Sequence, residues 1–123
     1  MSNATTLSVI SKSIALMEHT MKLTSNRKRY PIKYVMLVQR IQNKAMDIYE
    51  GLMQANRLNV VTQKIERLRK QDEVIMCCDE LSCYIEFSMN MSLIGSTAAA
   101  HWQKLVSDVL YMTMAWRKKD QSR

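Results

Sequence analysis

The chain has 123 residues, 47% of them hydrophobic, with two glycines, one proline and a formal net charge of +7 from 18 Lys and Arg against 11 Asp and Glu. That length holds one domain with its own core, residues 1–123, and that hydrophobic content excludes a disordered tail. So few turn residues exclude a β-rich fold of this size, and the basic excess suits a polyanionic partner, either nucleic acid or an anionic membrane.

Four helices are predicted in chain order. The first covers about Thr6 to Thr24, where Leu7, Ile10, Ile14, Met17 and Met21 recur at steps of three and four and so share a face. The polar segment Ser25–Arg29 ends it. The second starts at Pro31, a residue suited to a first helical turn, and ends near Asn56. Its Tyr34, Val38, Ile41, Ala45, Ile48, Leu52 and Ala55 form a heptad seam, the pattern of left-handed helix packing in bundles. The third is predicted from an Asn59 N-cap to about Ser92, on the order of 50 Å long. Its inward face is expected to carry Ile65, Leu68, Ile75, Cys78, Ser82, Ile85 and Met89, interrupted by Asp72. Gly95 is the expected C-terminal cap and Thr97 the next N-cap. The fourth covers about Ala98 to Lys118, with Ala98, Trp102, Leu105, Val109, Met112 and Trp116 again stepping by four and three. Short connections between long helices predict an all-α, antiparallel up-down-up-down four-helix bundle. The ten internal methionines are expected to fill gaps in its core rather than to form a binding groove. Met36, Leu37, Met46, Met53 and Val106 lie off the seams and are candidates for contact between subunits.

Charge is uneven along the chain. Residues 1–29 carry net +4, residues 30–57 net +2, residues 58–96 net −2 and residues 97–123 net +3. In an up-down-up-down bundle, the end of the second helix, the start of the third and the end of the fourth meet at one pole. Arg57, Lys64, Arg67, Arg69, Lys70, Arg117, Lys118, Lys119 and Arg123 collect there. The other pole holds Arg27, Lys28, Arg29 and Lys33. Such clusters suit phosphates, with affinity falling as salt rises. The plain alternative is a set of solvated helix ends favoured by the helix dipole, which accounts for Arg117–Lys119 better than for Arg27–Arg29.

Catalytic and metal signatures are absent from the sequence. It contains no P-loop, no Rossmann glycine motif and no zinc spacing. His19 and His101 are far apart and stand in no ligand motif, so structural or surface roles are expected for both. Cys77, Cys78 and Cys83 fall in one predicted helix, where neighbouring thiols do not pair easily. With no secretory h-region and no apolar run long enough for a bilayer, the expectation is a reducing, cytoplasmic setting with free, inert thiols and no membrane span. Trp102 and Trp116 lie on the core face, which favours packing over base stacking. No enzyme and no cofactor are expected.

Two stretches carry a family resemblance. One is Arg29-Tyr30-Pro31-Ile32-Lys33, continuing through Val38-Gln39-Arg40-Ile41-Gln42-Asn43-Lys44-Ala45 to Gln54-Ala55-Asn56-Arg57. The other runs from Gln103-Lys104-Leu105-Val106-Ser107-Asp108-Val109 to Ala115-Trp116-Arg117-Lys118. They resemble the small four-helix bundle proteins that include the accessory variability proteins (Avd) of diversity-generating retroelements. The resemblance implies a basic, ring-forming homo-oligomer, a pentamer in the best-known case. It also implies binding of RNA or DNA and association with a reverse transcriptase that copies template RNA into adenine-mutagenised cDNA. Arg40 matches an arginine of that family's second helix, and the basic ends of helices two and four match its basic stretches. The nucleic-acid-binding set expected from charge and resemblance together is Arg27, Lys28, Arg29, Lys33, Arg40, Arg57, Lys64, Arg67, Arg117, Lys118 and Lys119. The alternatives are a four-helix bundle protein of ribosomal RNA insertions, a helical adaptor whose charge is incidental, and an accessory DNA binder of a mobile element.

Overall fold

The computed structural model describes the backbone of residues 4–123 and the side chains of Thr6 and of residues 8–123. Four helices, α1 (Ala4–Thr24), α2 (Val35–Arg57), α3 (Lys64–Asn90) and α4 (Ser96–Gln121), make up most of it, with no strand among the described residues. A single 3-10 turn, Ile32–Tyr34, leads into α2, so Pro31 precedes that turn rather than α2 itself. Helix α1 packs on α2 and α4, α2 on α3, and α3 on α4, with neither diagonal pair in backbone contact.

Pairs of touching residues give the directions. Lys44 meets Glu80 and Gly51 meets Val74, so α2 and α3 run in opposite senses. Arg67 meets Asp120 and Ser82 meets Gln103, so α3 and α4 do too. Thr24 holds Gln42 and Thr20 holds Trp102, which sets the end of α1 beside the first halves of α2 and α4. The directions therefore alternate. One pole gathers the end of α1, the start of α2, the end of α3 and the start of α4; the second pole gathers the opposite ends.

From Val38 onward the α2 seam is as its periodicity predicts, while Tyr34, expected to begin it, is half-buried in the 3-10 turn. Ile41, Ala45, Ile48, Leu52 and Ala55 are buried, and Val38 is half-buried. Gly51 lies beside that seam, and a Cβ built there would stand 2.6 Å from a Val74 methyl, so its lack of a side chain admits α3.

Helix α1 is turned relative to expectation. Leu7 lies outside the described side chains, Ile10, Met17 and Met21 are only half-buried, and Ile14 is exposed. The buried row is Thr6, Val9, Ser13, Leu16, Thr20 and Thr24. The reason is local hydrogen bonding. Ser13, Thr20 and Thr24 donate their hydroxyls to the carbonyls of Ile10, Leu16 and Thr20 at 2.6, 2.8 and 2.7 Å, so these small polar groups enter the core already satisfied. Two of them also accept across the bundle. The Trp102 indole N–H donates to Thr20 at 3.0 Å and the Gln42 amide to Thr24 at 2.9 Å. Small hydroxyl residues thus make room for the indole rings of α4. On that helix Trp102, Val109 and Trp116 are buried as predicted. Val106, read as a subunit-contact candidate, is buried as well.

The start of α3 departs most. Asn59 does not cap the helix; its side-chain carbonyl accepts the N–H groups of Val61 and Thr62, closing a turn that precedes Lys64. The expected face fails at Ile65, which is 85% exposed, and at Met89, also exposed. Buried in place of Ile65 and Leu68 are Arg67 and Gln71, followed by Val74, Cys78, Leu81, Ile85 and Ser88. Arg67 and Gln71 are drawn in by Asp120, which is fully buried near the end of α4. The Arg67 Nε donates to Asp120 Oδ2 at 2.7 Å, the Gln71 amide to the same oxygen at 2.8 Å, and a second Arg67 nitrogen to the Leu58 carbonyl at 2.9 Å. The guanidinium also lies 4.9 Å from the centre of the Trp116 ring.

Helix α3 ends in a Schellman turn. The Leu93 N–H reaches the Ser88 carbonyl and the Ser92 N–H the Met89 carbonyl, both at 2.9 Å. The left-handed residue is Ser92, at φ 60°, and Gly95 instead precedes α4 in an extended conformation. No methionine among the described residues is fully buried; Met17 and Met112 pack against the core from partly buried positions, and Met76, Met89 and Met114 line surface grooves.

Removing one partner of a buried ion pair strands the other charge, at about 3–5 kcal/mol. Asp120→Leu is therefore expected to lower Tm by about 10 °C or more in thermal unfolding followed by circular dichroism. Arg67→Met combined with Asp120→Leu should unfold at a higher temperature than Asp120→Leu alone. Additive losses from the two substitutions would show that the pair is not coupled.

Candidate nucleic-acid interface

Arg27, Lys28 and Arg29 project from the turn between α1 and the 3-10 segment, and that turn is built around Asn26. The Asn26 backbone carbonyl accepts from the N–H groups of Arg29 and Tyr30 at 3.1 and 2.8 Å, and its side-chain carbonyl accepts from Lys28 at 3.0 Å. Tyr30 then drops its ring into the core, fully buried beside Ser88 at the end of α3, and burial raises the pKa of its phenol. Pro31 follows with φ −56°, and its carbonyl accepts the Tyr34 N–H at 2.9 Å. Lys33 stands over the Tyr34 ring at 5.3 Å, which steadies its stem. The three cations are therefore displayed on an anchored turn. Arg27, Lys28, Arg29 and Lys33 are all exposed, no acid lies between them in the chain, and none makes an ion pair among the described residues.

The second pole has more cations and fewer free ones. Its elements meet as expected, with the Lys64 ammonium 2.8 Å from the Arg123 carbonyl oxygen. Arg67, expected on the surface, is 6% exposed and spent on Asp120, so it is withdrawn from the phosphate-binding set. Arg117 is half-buried and grips Asp72 with two nitrogens, one at 3.1 Å, and a third reaches Gln121 at 3.2 Å. Arg69 pairs with Glu66 and Glu73, and Lys70 with Glu73. Arg57, Lys118 and Lys119 are exposed without an ion pair. The acids of α3 thus pair Arg69, Lys70 and Arg117, and Asp120 of α4 pairs Arg67 and Arg123.

Arg40 belongs to neither pole. It is exposed, makes no ion pair, and stands in a groove of about 730 Å³ between α2 and α3. Arg40, Asn43, Lys44 and Asp47 line the α2 wall; Glu80, Cys83, Tyr84 and Phe87 line the α3 wall. The Lys44 ammonium meets Glu80 at 3.0 Å toward the middle of the bundle, and that hydrogen bond raises the lysine's pKa. Tyr84 and Phe87 are missed by periodicity because they fall off the apolar seam of α3. Their signal is the antiparallel register, which sets Tyr84 opposite Arg40.

Of the three thiols expected to be buried or inert, Cys78 is buried and Cys77 half-buried, while Cys83 is exposed. Burial pushes the Cys78 thiol up to about 12, with smaller contributions from Cys77 and Asp79, and burial raises Cys77 as well. No group of three or more His, Cys, Asp or Glu among the described residues is placed to hold a metal ion. No helix among them is long and apolar enough to cross a membrane. The fold does unite the two histidines, which the sequence separates. The His19 and His101 rings meet edge to face across α1 and α4 with centroids 4.9 Å apart, and His19 also contacts Trp102. Burial, then His101, then Lys22 hold the His19 imidazole below its ordinary pKa.

No protein-family model matches the chain, and no curated protein or solved structure matches it either.

His19 supplies a pH test of the α1–α4 contact. Its folded-state pKa is depressed, so below about 6.5 the unfolded chain binds more protons than the fold. Stability is expected to hold at neutral pH and to fall as pH drops through about 6.5 toward the lowered value. Melting temperatures at about pH 7.5 and 5.5 check this: wild type should lose more on acidification than His19→Gln. Equal losses would remove His19 as the cause.

Proposed function

We propose that the protein binds the phosphate backbone of RNA or DNA through Arg27, Lys28, Arg29 and Lys33, and that it acts as a non-catalytic partner in nucleic-acid metabolism. The observation that carries this reading is the run of four exposed cations, uninterrupted by any acid, on the anchored turn and the 3-10 segment that follows it, none of them in an ion pair among the described residues. Solvated helix ends need no such turn. Backbone contacts position a nucleic acid without reading its sequence, so binding is salt-sensitive and sequence-tolerant. Arg57, Lys118 and Lys119 supply a weaker second contact.

The setting we propose rests on the sequence resemblance. In it the protein is the accessory factor of a diversity-generating retroelement, cytoplasmic, and binds a reverse transcriptase and its template RNA. As a homo-oligomer it repeats the cationic turn around an axis and raises the local potential.

Fluorescence anisotropy with labelled RNA and DNA over a salt series tests the binding. Four phosphate contacts predict a single-strand log–log slope near −3 and a loss on the order of 50-fold between about 50 and 200 mM salt. Reversing Arg27, Lys28, Arg29 and Lys33 to Glu should flatten the slope. Reversing Arg57, Lys118 and Lys119 should cost less, and changing Glu86 least. Wild type that binds no polyanion at low salt would leave the helical-adaptor reading in its place.

A further inference from the structure

Pole binding does not use the groove between α2 and α3. Its walls differ in chemistry. On one side the Arg40 guanidinium is exposed and unpaired, next to the amide of Asn43; on the other stand the aromatic rings of Tyr84 and Phe87. Phe87 is 48% exposed, an unusual position for a phenylalanine in a bundle where Trp102, Trp116 and Tyr30 are fully buried. Lys33 lies in the 3-10 turn that leads into α2, and Arg40 follows seven residues later in the chain, in the second turn of α2. Toward the middle of the bundle the Lys44–Glu80 pair occupies the groove, so the open, unbalanced positive end is the one nearer Lys33.

Resting on the reading above, we propose that this groove takes one unpaired base of a single-stranded RNA or DNA, stacked on Phe87 and Tyr84, with the flanking phosphates on Arg40 and Lys33. A cation lane ending at an exposed ring is the composition of single-strand sites, where base faces supply sequence-tolerant stacking and cations track the backbone. Duplex bases present no free face, so a double strand engages the turn alone. Asn43 is placed to hydrogen-bond a base edge.

The experiment compares a labelled single-stranded oligonucleotide with a duplex of the same length, on wild type, Phe87→Ala, Phe87→Tyr and the fourfold Arg27, Lys28, Arg29, Lys33→Glu variant. Phe87→Ala is expected to weaken single-strand binding about 5- to 150-fold while duplex binding and the salt slope hold, and Phe87→Tyr should restore it. Cys83 provides a readout within wild type. It is exposed in the groove while Cys78 is buried, so single strand should slow its alkylation several-fold and duplex should not. Single-strand affinity unchanged in Phe87→Ala, with Cys83 unprotected, overturns the groove and leaves the turn standing. Loss of binding only in the fourfold variant likewise overturns the groove. A change of oligomeric mass in Phe87→Ala with single-strand affinity intact overturns it in favour of a contact between copies. Wild type that binds neither strand form overturns both readings.

Discussion

Asp120 is a carboxylate with no exposure near the end of the last helix, and much of the bundle's second pole is arranged around it. A charge so placed must be paired, and the chain meets it with Arg67 and Gln71 from the start of α3. Arg67 in turn ties down the end of α2 through the Leu58 carbonyl and covers the Trp116 ring. Three helix ends are thereby fixed in register by one guanidinium. Register here also governs which cations are free to bind. Because Arg67 turns inward and Asp72, Glu66 and Glu73 engage Arg117, Arg69 and Lys70, these four cations of the second pole are in ion pairs. At the opposite pole Arg27, Lys28, Arg29 and Lys33 make no ion pair among the described residues.

The heptad seam of α2 is legible in the sequence because each of its core positions carries an aliphatic side chain. Helix α1 is legible as a helix but not in its facing. Hydroxyls that donate to their own helix look polar in a sequence and behave as small core residues in a fold. The start of α3 is illegible for a related reason. Apolar periodicity cannot place a buried arginine, and the stripe that includes Ile65 runs out to solvent once Arg67 takes the inner position. At the end of α3 the left-handed cap falls on Ser92, where glycine is the usual signal, so Gly95 draws the expected boundary to itself.

In the candidate site, the cations are legible from the sequence and their partners are not. Net charge by segment separates the acidic α3 from its neighbours, yet only the antiparallel register shows which cations those acids reach. Tyr84 and Phe87 carry no periodic signal, since residues that line a groove between two helices lie off both seams. The exposed ring of Phe87 and the free Arg40 become a pair only when α2 and α3 are set side by side. The same arrangement gives the molecule a polarity: an unpaired cationic turn and an aromatic groove at one end, and at the other a pole where Arg67, Arg69, Lys70, Arg117 and Arg123 are held in ion pairs.

That polarity is the central claim, and a residue-resolved map tests it most directly. Backbone amide chemical shifts can be followed by NMR as a single-stranded oligonucleotide is titrated into the protein. The expected result is that perturbations concentrate at Arg27–Lys33, Arg40 and Tyr84–Phe87, with smaller changes at Arg57, Lys118 and Lys119. Perturbations centred on Arg57 and Lys118–Arg123, with Arg27–Lys33 silent, would contradict it.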